Sequence, residues 1–256
     1  MLRAMDTTAG CRPAAAAAFF DLDKTIISRS STLAFVPSFY RHGLINRVQA
    51  ARGAFAQLVF RLGGADHDQM QRIKEQVSRL CQGWPVERVT EIVTANLAVT
   101  IAPLIYAEAR RLLESHKDAG RDVFIVSTSG QEMVGPIGAM LGASGIIATQ
   151  MRHADGRYTG DMDFYAYGEG KAARIRQLAT DRGYALSDSF AYSDSVTDLP
   201  MLESVGHPHA VNPDRQLRKA AMARGWPVLD FRGAIEVPAD GQQAERAARA
   251  CEQQLQ

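Results

Sequence analysis

Four aspartates at two points in the chain have the type and spacing of a reaction site. Asp21 and Asp23 lie two residues apart in FFDLDKT, residues 19–25, after the apolar run AAFF. Side chains two apart on an extended chain share a face, so both carboxylates can enter one cleft. Buried side by side they repel, and each is costly to remove from water. A divalent cation relieves both costs, and hard carboxylate oxygens suit magnesium. The second pair, Asp194 and Asp198, follows another apolar run in AYSDSVTDLPML, residues 191–202. Asp198 stands where a short helix would start, so a capping role is open to it. Capping does not explain acids at two strand ends. Together the pairs suit magnesium with phosphate oxygens completing its shell.

Two further segments could hold a phosphate. In VFIVSTSG, residues 123–130, an apolar run ends at Ser127 and is followed by Thr128 and other small polar residues. Their hydroxyls and backbone N–H groups can bind phosphate oxygens. The G-x-S-x-G pattern of a nucleophile elbow is absent. In YGEGKAARI, residues 167–175, Lys171 at a helix start offers a fixed positive charge. Gly168, Gly170 and Ala173 there also satisfy G-x-G-x-x-A. A dinucleotide fingerprint belongs after the first strand of its unit, whereas this one comes late, after a hairpin. His207 and His209 flank Pro208, which places them in a loop rather than in a metal pair. Met133, Met140 and Leu141 follow helical spacing and read as core. Trp84, before Pro85, reads as a helix anchor.

The elements that must position these groups follow from hydrophobic patterning. Short apolar runs at 17–21, 122–127, 189–193 and 227–231 read as buried strands. Alternating with amphipathic stretches, they predict an α/β fold with a parallel sheet covered by helices on both faces. Ligands of such sheets bind beyond the carboxyl ends of the strands, where the polar residues above lie. Between Ile27 and Arg121 no strand is evident. Apolar residues recur there at helical spacing, among them Ile45, Val48, Phe55, Leu58, Met70, Ile73, Val89 and Ile92. This predicts a helical insertion over 30–100, then a helix over about 102–118. Residues 147–164, with Asp155–Gly156 at the turn, predict a β-hairpin. The domain reading is a core of 14–29 and 101–232, a helical cap of 30–100, and flexible termini at 1–13 and 233–256.

Composition narrows the function. The 256 residues carry 29 Lys and Arg against 28 Asp and Glu, a net charge of +1. No nucleic-acid footprint is expected from that balance. The three cysteines, Cys11, Cys81 and Cys251, are far apart, which argues against a cysteine metal site and for a reducing cytoplasm. The apolar run at 14–20 is too short to span a bilayer, and no membrane partner is expected.

In order, the Asp-x-Asp, Ser, Lys and Asp-x-x-x-Asp pieces resemble the motif set of the haloacid dehalogenase superfamily, from about Phe19 to Phe231. The insertion straight after the first motif looks like that superfamily's first cap type, in the subfamily containing phosphoserine phosphatases. Within it the chain is most similar to the actinobacterial hydrolases labelled as morphological-differentiation proteins. The resemblance implies a Rossmann-like core and a magnesium-dependent phosphatase acting on a small phosphorylated metabolite. It implies Asp21 as nucleophile and Asp23 as general acid and base, the Asp23 carbonyl also touching the metal. It implies Ser127, Thr128 and Lys171 as phosphate binders and Asp194 as a magnesium ligand. Thr25 would brace the loop, and Asp198 would support the metal's surroundings.

Asp23 is the residue that phosphatases and phosphomutases resemble in carrying, where P-type ATPases carry Thr. Phosphoserine phosphatases have a Glu nine residues after the nucleophile, to read an amino group. Here that position is Ser30, beside Arg29, which suits an anion better. Both are expected to bear on substrate choice. Arg41, His42 and Arg61 of the cap could reach the cleft or face solvent.

Overall fold

The computed structural model describes residues 15–46 and 75–233. Seven strands form one sheet: β1 Ala17–Asp21, β2 Asp122–Gly130, β3 Gly145–Ala154, β4 Arg157–Phe164, β5 Phe190–Ser193, β6 His207–Val211 and β7 Val228–Leu229. Their order is β4-β3-β2-β1-β5-β6-β7, and every pairing is parallel except β3 with β4. The strand that carries Asp21 is therefore central. The helices that accompany the sheet include α1 Ser31–Ala34, α2 Val36–Arg41, α3 Val86–Thr100, α4 Ala107–Asp118, α5 Gln131–Met140, α6 Glu169–Arg182, α7 Leu199–Glu203 and α8 Arg215–Arg224. Residues 75–81 are also helical.

The sheet buries both faces, as a parallel sheet must. Alternation along β1 sends Ala18 and Phe20 into one core and Ala17 and Phe19 into the other. The first core takes Val89, Ile92 and Val93 of α3, Leu113 of α4 and Val134 and Ile137 of α5. The second takes Ile175 of α6, Met201 and Leu202 of α7 and Leu217 of α8. Trp84 packs on Phe39 with ring centres 5.8 Å apart, and Met133 and Leu141 are buried.

The hairpin turns at Asp155 and Gly156, with φ of 49° and 73°. Two successive left-handed residues make the turn whose twist suits paired strands. The turn also receives the chain returning from the insertion: Gly156 O accepts from Val86 N–H at 2.9 Å, and Tyr158 O from Gly83 N–H at 2.9 Å.

The HPH segment corrects an expectation, because His207, Pro208 and His209 lie in β6 and not in a loop. Proline lacks a ladder donor and is tolerated in strands mainly where one side is open. β7 pairs with Ala210 and Val211, so among the described residues β6 has no partner on that side at Pro208. The histidines pack as rings. His207 stacks on Phe190 at 4.5 Å and His209 on Tyr192 at 4.7 Å. Tyr192 in turn stacks on Phe20 at 4.3 Å and accepts from His116 Nε2 at 2.8 Å. Arg121 Nε donates to His116 Nδ1 at 2.8 Å, which leaves the ring proton on Nε2.

Among the described residues no helix is long and apolar enough to cross a membrane. Cys81 is half-buried, and burial pushes its thiol up to about 12. Cys11, Cys251, Arg61, and most of the insertion's apolar positions from Val48 to Ile73 lie outside the described residues.

Candidate active site

The site is built where β1 and β5 end. Asp21 is the last residue of β1 and is only 6% exposed. The chain then turns sharply: Lys24 has a φ of 62°, a left-handed conformation that a side chain resists. Leu22 O accepts from both Ile26 N–H at 3.0 Å and Ile27 N–H at 3.1 Å, closing the turn. These backbone bonds brace the loop. Thr25, expected to do so, is buried, and its Oγ1 has no hydrogen-bond partner among the described residues.

Lys171 is brought in from the third position of α6. It is 2% exposed, and its Nζ lies 2.7 Å from Asp21 Oδ1 and 2.7 Å from Asp198 Oδ2. Ser193 Oγ also donates to Asp198 Oδ2 at 2.7 Å. Asp198 thus orients the lysine. It is not a helix cap, since its side chain makes no capping bond to α7. Asp194 lies between Ser193 and the short 3-10 turn Val196–Asp198. Asp214 holds this loop from behind. Its N–H donates to Asp194 O at 2.8 Å, its Oδ2 accepts from Val196 N–H at 2.9 Å, and its Oδ1 caps α8 at Leu217.

Asp23 is held by the start of the insertion: its Oδ1 accepts from Ser31 N–H at 2.9 Å. Ser31 and Thr32 hydroxyls in turn meet Ser129 Oγ at 2.9 and 3.2 Å. Ser127 is buried, and its Oγ accepts from Ser129 N–H at 3.2 Å. Thr128 behaves differently from expectation. Successive side chains on a strand alternate, and the Thr128 hydroxyl donates to Ala166 O at 3.0 Å. Arg29 is exposed, while Ser30 is near enough to Asp23 to help oppose the rise of its carboxyl. Arg41 and His42 are tied to Ser38 within their own helix turn.

The electrostatics are those of too many acids. Burial pushes Asp21 up to about 7 against the pull of Lys171, with Asp198 adding to the rise. Burial also raises Asp23, although the Ser31 N–H opposes it. Asp194 is raised well above the usual carboxylate range, first by burial and then by Asp21. Burial works against the Lys171 ammonium, yet Asp198 and Asp21 outweigh it and keep it charged. Four carboxylates thus face two lysines, Lys171 and, near Asp194, Lys24. A divalent cation fits that deficit and the hard oxygens of Asp21 and Asp194. Among the described residues no three His, Cys, Asp or Glu side chains form a ligand set. A cation here would therefore need a backbone carbonyl and outside oxygens as well, the shell magnesium accepts.

The glycines of the G-x-G-x-x-A segment serve its turn. Gly168 has a φ of 52°, and a Cβ on Gly170 would lie 2.6 Å from Tyr165 O. The segment follows β4, the antiparallel edge strand, and not β1. The patterns around the motifs missed Ser193, Asp214 and Ser129. Asp214 alone left a usable signal, as an acid three residues ahead of an apolar helix position.

A buried lysine clamped between acids from two strand ends, on this sheet order, defines a class. Residues 18–203 match the haloacid dehalogenase-like hydrolases, and the chain belongs to that family as an enzyme of its phosphatase kind. It is 61% identical over 216 residues to the inhibition of morphological differentiation protein of Streptomyces azureus, covering 84% of this chain and 78% of that one. It is 55% identical over 226 residues to a probable phosphatase of Mycobacterium tuberculosis, covering 88% and 79%. A histidinol-phosphatase of Neisseria meningitidis is 34% identical over 221 residues, covering 84% and 98%. A phosphoserine phosphatase solved as its phospho-aspartyl intermediate analogue superposes with a TM-score of 0.63 at 19% identity, covering 86% and 96%; that likeness is one of fold.

Proposed function

We propose that the protein is a magnesium-dependent hydrolase of small phosphomonoesters that works through an aspartyl-phosphate. The observation that carries this reading is Lys171 Nζ, held 2.7 Å from Asp21 Oδ1 by an acid on another strand end. That contact occupies one carboxylate oxygen and leaves Oδ2 to attack phosphorus. Lys171 also screens the attacking carboxylate from an incoming dianion. As the ester P–O bond breaks, Asp23 gives its proton to the departing alcohol oxygen. Its raised affinity for a proton suits that role. Asp23 then takes a proton from water, which attacks phosphorus and frees Asp21 and inorganic phosphate. Ser127, in the β2 end beside Asp21, would bind phosphate oxygens.

Magnesium would be held by the Asp21 and Asp194 carboxylates and the Asp23 carbonyl, and would supply positive charge to the phosphate oxygens. The division into a core of 14–29 and 101–232 and a cap of 30–100 is part of this reading, with the cap closing over the alcohol. A phosphoserine phosphatase proper is the second reading, from the fold likeness. Ser30, nine residues after Asp21, disfavours it, having no charge for an ammonium. Phosphate release from p-nitrophenyl phosphate with magnesium tests the class, and a panel of phosphorylated metabolites ranks the substrates. No release with any of them would overturn the proposal.

A further inference from the structure

Between β4 and α6 the chain places two tyrosine rings face to face. Tyr165 and Tyr167 stack with centres 5.6 Å apart and planes 19° from parallel. Both are half-buried, and neither joins the two cores formed by the described residues. Aromatic rings that are fixed yet outside a core suggest a surface kept for a ligand.

The turn that carries them is held in place. Ala166, between the rings, is fully buried; its O accepts from Thr128 Oγ1 at 3.0 Å and its N–H donates to Thr149 Oγ1 at 3.2 Å. Thr149 Oγ1 donates to Thr128 O at 2.7 Å, closing the link to the end of β2. Tyr165 O accepts from Tyr167 N–H, and Tyr167 O from Gly170 N–H, both at 2.9 Å. On the other side, a Cβ at Gly168 would meet Thr197 O at 3.6 Å. The turn therefore spans from the Ser127 loop to the Asp198 loop, and Lys171 follows it by one helical turn. Burial pushes both phenols up, the Tyr165 one to about 12, and Lys171 draws both back.

We infer that Tyr165 and Tyr167 form a rigid platform that selects phosphomonoesters whose leaving alcohol carries a flat ring. The inference rests on the reading of Asp21 and Lys171 as the phosphate site. In phosphoryl transfer the attacking and leaving oxygens stand roughly in line. With Asp21 attacking from the end of β1, the alcohol departs away from the strand ends, and on this inference its path is flanked by the turn that bears the rings, which is tied to the Ser127 and Asp198 loops. A ring on that alcohol can pack on the tyrosines, while a flexible alkyl chain gains less.

The test uses 2-phenylethyl phosphate and butyl phosphate, whose alcohols are similarly poor leaving groups. The wild type should favour the phenyl ester by about three- to tenfold in kcat/KM, the size of one aromatic contact. Tyr167→Leu should bring the ratio of the two esters close to one, and Tyr167→Phe should keep it. Calorimetric binding of 3-phenylpropylphosphonate and pentylphosphonate to the wild type, with magnesium, reads the same preference without turnover or a variant. Release from both esters with no ring preference, or a preference that survives Tyr167→Leu, overturns the platform. Tighter binding of the phenyl phosphonate with no hydrolysis of either ester upholds the platform and overturns the phosphatase mechanism. Equal binding of the two phosphonates overturns the platform whatever the turnover.

Discussion

Two buried polar clusters sit on neighbouring residues of β1 and β5. One holds Asp21, Asp23, Asp194 and Asp198 with Lys171, and Lys24 near Asp194. The other holds His116, Tyr192 and Arg121, with Phe20 and His209 stacked on Tyr192. In the second cluster the donors and acceptors match. Arg121 donates to His116, His116 donates to Tyr192, and the rings close over them. In the first, four carboxylates share two lysines, and burial leaves the acids straining to take up protons. A buried network that is satisfied contributes rigidity. One with excess charge of a single sign is costly to maintain, and perturbed acids of this sort collect where chemistry is done.

That contrast can be broken in five ways. The largest effect is expected from Asp21→Asn, which keeps the shape and removes the proposed nucleophile. Its kcat should fall by at least about a thousandfold with an unchanged circular dichroism spectrum; activity within tenfold of wild type would refute the role. Next comes Lys171→Met, which leaves its buried acids without their cation. Removing one partner of a buried pair costs about 3–5 kcal/mol, so denaturant unfolding at neutral pH should show a loss of that order. A loss under about 1 kcal/mol would mean that the lysine is not the counter-charge. Third, exhaustive chelation should lower phosphate release by at least about a hundredfold, and magnesium should restore it. Full activity without metal would remove magnesium from the mechanism.

The smallest effects belong to the matched cluster. Tyr192→Phe should cost about 1 kcal/mol, the worth of one hydrogen bond, with kcat within twofold. His116 also gives this cluster a pH signature. Burial, then Arg121 and His209, lower its affinity for a proton to about 4 from an ordinary 6.5. The unfolded chain therefore binds the proton more readily between those values. The stability that comes from a neutral His116 is present above 6.5 and lost as pH falls toward 4. His116→Phe should flatten the stability profile over that window; an unchanged slope would place the titration elsewhere.

The sequence announced the first cluster far better than the second. Asp21, Asp23, Ser127, Lys171, Asp194 and Asp198 all stand at strand ends or in helix starts, where polar residues interrupt apolar runs. The sheet and the hairpin were legible for the same reason, since buried strands are short apolar runs between breakers. Strand β6 was not, because HPHAV contains a proline and two histidines and derives its burial from neighbours. His116 and Tyr192 were equally hidden. They lie 76 residues apart and meet only through the packing of α4 on β5. The role of Thr128 could not be read locally either, because its partner Ala166 lies across the hairpin.

The span of the Asp21–Lys171 contact, 150 residues, has a consequence for the chain as it is made. Ribosomes add about 5–20 residues each second, so Asp21 emerges roughly 8–30 s before the lysine that it pairs with. For that interval the first strand ends in carboxylates that have no reason to leave water. β1 cannot settle into the middle of the sheet at full depth until α6 and the Asp198 loop exist to receive it. A nascent chain therefore lacks the Asp21–Lys171 contact until most of its length has been synthesised.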